Sequence, residues 1–440
     1  MLRRKISDEL MKWKANPGKH PLLVTGARQV GKTYAIEHFA ESNYERVIYM
    51  NFEKSPSLKG IFGGDLDADA LMLRITARFS DAKIIPGKTV IVLDEIQSCP
   101  NARTAMKSLS GDLRFDTIAT GSLLGLNQSK VSLYPTGYEE YMDMHTMDFE
   151  EFLWAIGTDS DLISSVRNKL NCKEPLDPFI TETFEEHYRT YMAVGGMPEA
   201  VDDFVTNRDF SRVRAIQKKI IRSYEDDISK YAEGIAKARA RECLHSVPDQ
   251  IGRRFRYTDV KGVHGARRSM YDGGIEWLIG AGVVFKSYKV TDLSPPLTYS
   301  RSMNLFKLFL HDVGLLVAMM ERDTASMLFE GNSLVNGGKV AENVTACEIV
   351  SRNVEPMYFG EKDLEVDFVT VIGKDVAAIE VKSGNNKMSK SLDSVMSRSN
   401  ARIRGVKLEH TNVNIDDNGV EHYPLFAGAF IFPDDSGYKL

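Results

Sequence analysis

In the first 125 residues, short unbroken apolar runs alternate with stretches whose apolar positions recur at helical spacing. "PLLV" at 21–24, "VIVL" at 90–93 and the aliphatic positions of "FDTIATGS" at 115–122 are runs of the first kind. A strand buried on both faces of a parallel sheet presents no polar side, so it reads as a continuous run rather than an alternation. "KTYAIEHFAES", which follows the first run, sets Ile36, Phe39 and Ala40 on one face of a helix. Strands and helices alternating in this way predict an α/β fold built on a parallel sheet.

The pattern changes near residue 205. "RVRAIQKKIIRSYEDDISKY" places Val213, Ile216, Ile220 and Ile221 on one helical stripe. The stretch from "IGRRFRYTD" to "VVFKSYKV" reads as a short strand, two helices split by a glycine-containing turn, and a strand pair. That is the order of a winged helix-turn-helix. "LSPPL" at 293–297 then breaks the pattern with two prolines and predicts a boundary. Beyond it, "FKLFLHDVGLLVAMM" reads as a strand running into a helix, and "NGGKVAENVTACEIV" as a helix with Val340, Val344 and Cys347 on one face. "EVDFVTVIGKDVAAIEVKSG" reads as a β-hairpin turning at "GK". With Gly373 and Lys374 as the turn, Ile372 faces Asp375. Counting back along both strands sets Asp367 opposite Glu380 and Glu365 opposite Lys382.

Composition narrows the class. A chain of 440 residues has room for two to four domains, and 43% apolar with 27% charged residues is ordinary for a globular protein. A net charge of −5 argues against indiscriminate coating of nucleic acid but leaves room for a local patch. Residues 253–268 are such a patch, with Arg253, Arg254, Arg256, Lys261, Arg267 and Arg268 against Asp259 alone. They can neutralise DNA phosphates; equally, they can be the solvated or nucleotide-facing side of a packing lid. The four cysteines lie far apart with no C-x-x-C pair, which suits reduced thiols rather than a zinc site. No apolar run approaches the ~18 residues of a membrane span, and charges interrupt "MLRRKISDELMKWK" before any signal-peptide core can form. The expectation is a cytoplasmic protein without a membrane partner.

The candidate chemistry begins after the first strand. Gly26 to Thr33, "GARQVGKT", has the form G-x-x-x-x-G-K-T. Between a strand and a helix, such a loop turns successive N–H groups and the helix N-terminus toward one anion. Gly26 and Gly31 would permit the tight path, while Ala27, Arg28, Gln29 and Val30 would add backbone donors. Lys32 would neutralise β- and γ-phosphates and Thr33 would offer its hydroxyl to Mg²⁺. The acid such a loop requires follows the second run: Asp94 for the metal and Glu95 to polarise the attacking water. A surface D-E pair capping a helix is the plainer alternative. Thr120 and Ser122 end the third run, where a polar side chain can sense the γ-phosphate or simply make a turn.

"GARQVGKT", "VIVLDEIQ", "IATGSLLG", "MDFEEFLWA" and "VGGMPEAV" occur in the order seen in a large group of prokaryotic AAA-type ATPases. The chain resembles that family over most of its length. The resemblance implies ATP and Mg²⁺ as cofactors, and a C-terminal domain of unknown function that looks like a PD-(D/E)xK nuclease. It implies a fold of three parts: an ATPase domain with a helical lid over 1–205, a winged-helix-like domain over 206–297 and a restriction-endonuclease-like α/β domain over 298–440. It further implies that Gly196 and Pro198 of "GGMP" lie against the nucleotide base, although a turn before a helix explains them as well. In the last domain it implies metal ligation by Asp367, Glu380 and Glu342, with Lys382 orienting water. The chain lacks the Gly-Arg pair that many relatives carry after the T-G-S strand, so no arginine finger is assigned. Three readings follow. One is an ATP-driven switch coupled to a DNA-binding or nuclease-like domain, with DNA met through residues 253–268 and the C-terminal domain. Another is the same ATPase with an inert C-terminal domain for partner or DNA binding, either as a homo-oligomer or with another protein. A small-molecule kinase is disfavoured by the wording of "LDEIQ".

Overall fold

A computed structural model of the chain describes residues 2–79, 83–122, 137–231, 234–260, 267–331, 337–361, 364–383, 390–398 and 403–433. They fold as two compact units, in the main Arg3–His145 and Thr146–Ser436.

The first unit is built on β1 (Leu22–Thr25), β2 (Arg46–Asn51), β3 (Thr89–Asp94), β4 (Asp116–Thr120) and β5 (Glu140–Asp143), in the sheet order β2-β3-β4-β1-β5. Every pairing is parallel. β1 and β3 are buried at each position because both faces are covered. On one face, Leu23, Met50, Ile91 and Leu93 pack with helices Ala68–Arg78 and Pro100–Leu109. On the other, Leu22, Val24, Val90 and Val92 meet Leu10 and Trp13 of helix Ile6–Ala15 and Ile36, Phe39 and Ala40 of helix Lys32–Asn43. Each such side chain contributes about 1.5–3 kcal/mol on leaving water. The consequence for chemistry is positional: β1 and β3 flank β4, so the segments leaving all three strands gather at one carboxyl edge.

The second unit carries a mixed eight-stranded sheet ordered β12-β13-β11-β10-β9-β8-β6-β7. Its strands are β6 (Val284–Val290), β7 (Arg301–Leu310), β8 (Met357–Glu361), β9 (Leu364–Ile372), β10 (Asp375–Lys382), β11 (Ile403–Glu409), β12 (Asn414–Ile415) and β13 (Glu421–Pro424). The β9–β10 hairpin has the register expected from its turn, running from Asp375 opposite Ile372 to Ile379 opposite Phe368.

The compact units divide the chain differently from the expected bounds of 1–205, 206–297 and 298–440. β6 and β7 pair antiparallel from Val284–Leu310 to Val290–Arg301, so the prolines of "LSPPL" lie in the connection of a hairpin. A proline has no N–H for a ladder, yet a connection tolerates it; a break in apolar pattern marks a loop as readily as a linker. Helices Phe149–Ala155, Pro178–Val194 and Pro198–Asn207 belong to the second unit. Aromatic burial holds them there, with the Phe149 and Phe184 rings 6.5 and 5.4 Å from that of Phe426. Between residues 251 and 290 the described residues hold one α-helix, Arg268–Gly280, after a single 3-10 turn at Tyr257–Asp259. The expected short strand there is one bridge, Arg254 to Lys307.

Close packing in this unit centres on Asp312, which is buried at the start of helix Val313–Met319. Its carboxylate accepts the Leu315 N–H at 2.9 Å and the Gly196 N–H at 2.7 Å. A Cβ on Gly196 would stand 2.0 Å from the Met147 carbonyl oxygen, and one on Gly195 2.5 Å from Asp312 Oδ1. The "GG" of "GGMP" is therefore required by backbone approach inside this unit. Burial pushes the Asp312 pKa up to about 6 from 3.8, with the backbone donors restraining it. A folded pKa above the unfolded one favours folding at acid pH, and the advantage is lost as pH rises through the folded value. The difference corresponds to about 3 kcal/mol at 1.36 kcal/mol per pH unit. Wild type is therefore expected to lose stability relative to Asp312→Asn by up to that amount between about pH 4 and pH 7. Denaturant melts at the two pH values check it; a pH-independent difference would refute it.

Candidate functional site

The loop after β1 has a backbone path few side chains allow. Gly26 has φ 148°, Gln29 66° and Gly31 96°. A Cβ on Gly26 would stand 2.2 Å from the Met144 carbonyl oxygen. Gly26→Ala is accordingly expected to cost the fold about 1–3 kcal/mol, read as a lowered unfolding midpoint. Val30 is buried and its carbonyl accepts from Arg4 Nη1 at 3.0 Å, which ties down the back of the loop. The loop wraps its own lysine: Lys32 Nζ donates to the carbonyls of Gly26 at 2.9 Å and Ala27 at 2.7 Å. Burial lowers the Lys32 pKa to about 8, while Glu95 and Asp94 pull it the other way. An ammonium held only by neutral carbonyls and incompletely solvated is ready to exchange them for an anion.

Asp94 ends β3 with no exposed surface. Thr33 Oγ1 lies 3.1 and 3.2 Å from its two carboxylate oxygens. Tyr49 Oη donates to Oδ2 at 2.5 Å and Asn51 Nδ2 at 2.7 Å, and the Thr120 hydroxyl donates to Oδ1. Parallel pairing explains the convergence, since Asn51 sits opposite Asp94 in the β2–β3 ladder. The sequence pattern points to Thr33 and Asp94 but not to Tyr49 and Asn51. Its available signal was a polar Asn closing the mostly apolar run "VIYMN". Glu95 follows in the left-handed region at φ 56° and ψ 48°, a conformation that costs a non-glycine residue about 1–3 kcal/mol and clusters at functional sites. Gln97 Nε2 donates to its carboxylate. Burial raises the Glu95 pKa above the usual carboxylate value, Asp94 and Glu53 add to the effect, and Gln97 and Lys32 oppose it. Ser122 is buried just beyond β4. The residues that would replace the absent Gly-Arg pair, 123–136, lie outside the described residues.

The C-terminal candidates gather around a lysine that lies outside the expected motif. Lys307 of β7 is fully buried, with Nζ 2.8 Å from Glu365 Oε1, 3.5 Å from Asp367 Oδ1 and 4.0 Å from Glu342 Oε2. Burial favours the neutral amine, but Asp367, Glu342 and Glu365 outweigh it and hold the Lys307 pKa above the ordinary lysine value. Its signal was a single charge inside the otherwise apolar run "LFKLFL". Glu365 therefore meets Lys307 rather than Lys382, whose Nζ lies 2.8 Å from Glu380 Oε1. The reason is local: the ladder runs only as far as Ile379–Phe368, and the Asp367 carboxylate accepts the Val381 N–H at 2.9 Å. Lys307 Nζ, Glu342 Oε2 and Glu380 Oε2 are buried without an aligned hydrogen bond, so the approaches to Lys307 are charge contacts. Among the described residues no group of three or more His, Cys, Asp or Glu side chains is disposed to hold a metal ion. Glu342, Asp367 and Glu380, as they stand with lysines between them, do not fit one.

The basic stretch is partly neutralised. Arg253 lies 3.6 Å from Asp259, and Arg268 2.7 Å from Asp272; Lys261 falls outside the described residues. Pro198 opens helix Pro198–Asn207, in a different unit from the glycine loop. No helix among the described residues is long and apolar enough to cross a membrane.

Residues 18–153 match an AAA domain, 185–326 a domain of unknown function (DUF8612) and 337–425 a second domain of unknown function (DUF4143). The N-terminal region is thus an AAA-type P-loop domain, which agrees with its parallel sheet. The second match runs across both expected boundaries, at 205 and at 297. No curated protein matches the chain. Among solved structures, Cdc6p from Pyrobaculum aerophilum is similar over 74% of this chain and 92% of that one, at 13% identity. The TM-score of 0.24 is too low to bear on this chain.

Proposed function

We propose that the chain is an ATP-binding, Mg²⁺-dependent molecular switch that hydrolyses ATP at the Gly26–Thr33 loop. What supports the reading is the set of side chains around Asp94. Four neutral donors from three segments aim at one buried carboxylate beside a lysine held by loop carbonyls. A carboxylate so oriented is preorganised without being neutralised by a base. In this reading the N–H groups of Gly26, Ala27, Arg28, Gln29, Val30 and Gly31 meet the phosphates. Lys32 exchanges its loop carbonyls for the β- and γ-oxygens. Thr33 and Asp94 would hold Mg²⁺, which supplies neutralisation of phosphate charge when bound. Glu95, at the mouth of the same edge, accepts the proton of the attacking water, and Ser122 senses the γ-phosphate.

For the C-terminal part, the ion pairs at Asp367 and Glu380 favour the reading without nuclease chemistry, in which this region binds DNA or a protein partner. The test is purified protein with ATP and Mg²⁺, assayed for phosphate release and, in parallel, for cleavage of DNA and RNA. Phosphate release that disappears in Asp94→Asn, with no cleavage, is expected. Absence of release from wild type would end the switch reading, and cleavage would reinstate the nuclease.

A further inference from the structure

We infer that the Lys307 ammonium is the resident cation of the C-terminal carboxylate cluster and stands where a divalent metal would otherwise be needed. Glu342, Glu365 and Asp367 come from different segments, helix Gly337–Val350 and β9, and all approach one nitrogen. Carboxylates brought together in a buried place repel unless a cation or proton lies between them. Here the cation is covalent. Lys307 exposes no surface, and its Nζ also lies 5.2 Å from the centre of the Tyr358 ring, whose face favours a cation.

Two further observations close the site to a competing ion. The 2.8 Å approach to Glu365 is the length of an ammonium–carboxylate contact. Mg²⁺ would demand oxygens at 2.0–2.1 Å in octahedral array, in the volume that Nζ fills. The backbone at Gly252 also covers Glu342: a Cβ there would stand 2.7 Å from Oε2, at φ 72°. The neighbouring Arg254 bridges to Lys307 itself, so the segment that opens the basic patch lies over the cluster. The second acidic position, Glu380, has its own ammonium in Lys382. Such a cluster is costly to break at its centre, because removing the Lys307 ammonium leaves the largely buried Glu342 and Asp367 carboxylates uncompensated, while Glu365 is half exposed to water. The inference concerns the second unit alone. Its failure would leave the nucleotide reading untouched.

The test uses the full chain without nucleotide and Mn²⁺ as the probe, with bound ion counted by electron paramagnetic resonance and unfolding followed with and without Mn²⁺. Wild type and Asp367→Asn are expected to bind the same number of Mn²⁺ ions. Lys307→Met should gain one equivalent, with affinity at least about tenfold above the wild-type background, which one added carboxylate-held cation would supply. That gain should vanish in Lys307→Met/Asp367→Asn, and Mn²⁺ should raise the unfolding midpoint of Lys307→Met alone. A wild-type Mn²⁺ site that Asp367→Asn abolishes would overturn the inference, as would no gain in Lys307→Met. Should Lys307→Met fail to fold, wild type against Glu342→Gln decides: equal stoichiometry supports the resident lysine, and loss of one equivalent in the glutamine variant refutes it.

Discussion

Glu95→Gln is expected to bind ATP as tightly as wild type and to hydrolyse it about 10²–10⁴-fold more slowly, the range that a positioned general base contributes. The amide keeps the size of the side chain and its place after β3, but it cannot accept a proton from water. Burial already raises the wild-type carboxyl above its ordinary pKa, which strengthens its carboxylate as a base. Lys32→Ala supplies the complementary arm. It removes the ammonium held by the Gly26 and Ala27 carbonyls, so tight ATP binding itself is expected to be lost. Equilibrium nucleotide binding and single-turnover phosphate release separate the two defects. Hydrolysis at wild-type rate in Glu95→Gln would remove Glu95 from its role, and undiminished ATP affinity in Lys32→Ala would remove the loop.

Arg352→Met is expected to destabilise the second unit by about 3–5 kcal/mol, because it strands a buried charge. Glu348 and Arg352 are 2% and 5% exposed. Arg352 Nη1 lies 2.7 Å from Glu348 Oε2, and its Nη2 donates to the Ala429 carbonyl at 2.5 Å. Glu348 Oε1 accepts the Phe149 N–H at 2.9 Å. This one pair thus joins the helix Gly337–Val350 to segments far away in the chain. Without the guanidinium, the buried Glu348 carboxylate loses the ion pair at its Oε2. Glu348→Gln/Arg352→Met should recover much of the loss, since replacing both partners removes the stranded charge. Chemical denaturation of the three variants measures it. A loss below about 1 kcal/mol in Arg352→Met, the value of an exposed pair, would show that the charge is solvated.

What residue order determined by itself was local. Unbroken apolar runs marked β1 and β3 because strands covered on both faces have no polar side to show. The "GK" turn and strand alternation set the β9–β10 register, because pleat and hairpin geometry are properties of neighbouring residues. Gly26 to Thr33, with Asp94 after its aliphatic run, pointed to one edge of a sheet for the same reason.

Tertiary structure decided everything that depended on which segments meet. Tyr49 and Asn51 face Asp94 because β2 lies beside β3, an adjacency that no spacing encodes. "LSPPL" reads as a boundary in one dimension, yet β6 and β7 pair across it, and prolines mark hairpin connections and linkers alike. Lys307 is 60 residues from Asp367 in sequence and reaches it only through the folded sheet. The hairpin register was legible from the turn as far as Ile379–Phe368, one step short of Asp367 and Glu380. The charge that neutralises a buried carboxylate comes from whatever packs against it, and here that is the lysine of the otherwise apolar run "LFKLFL".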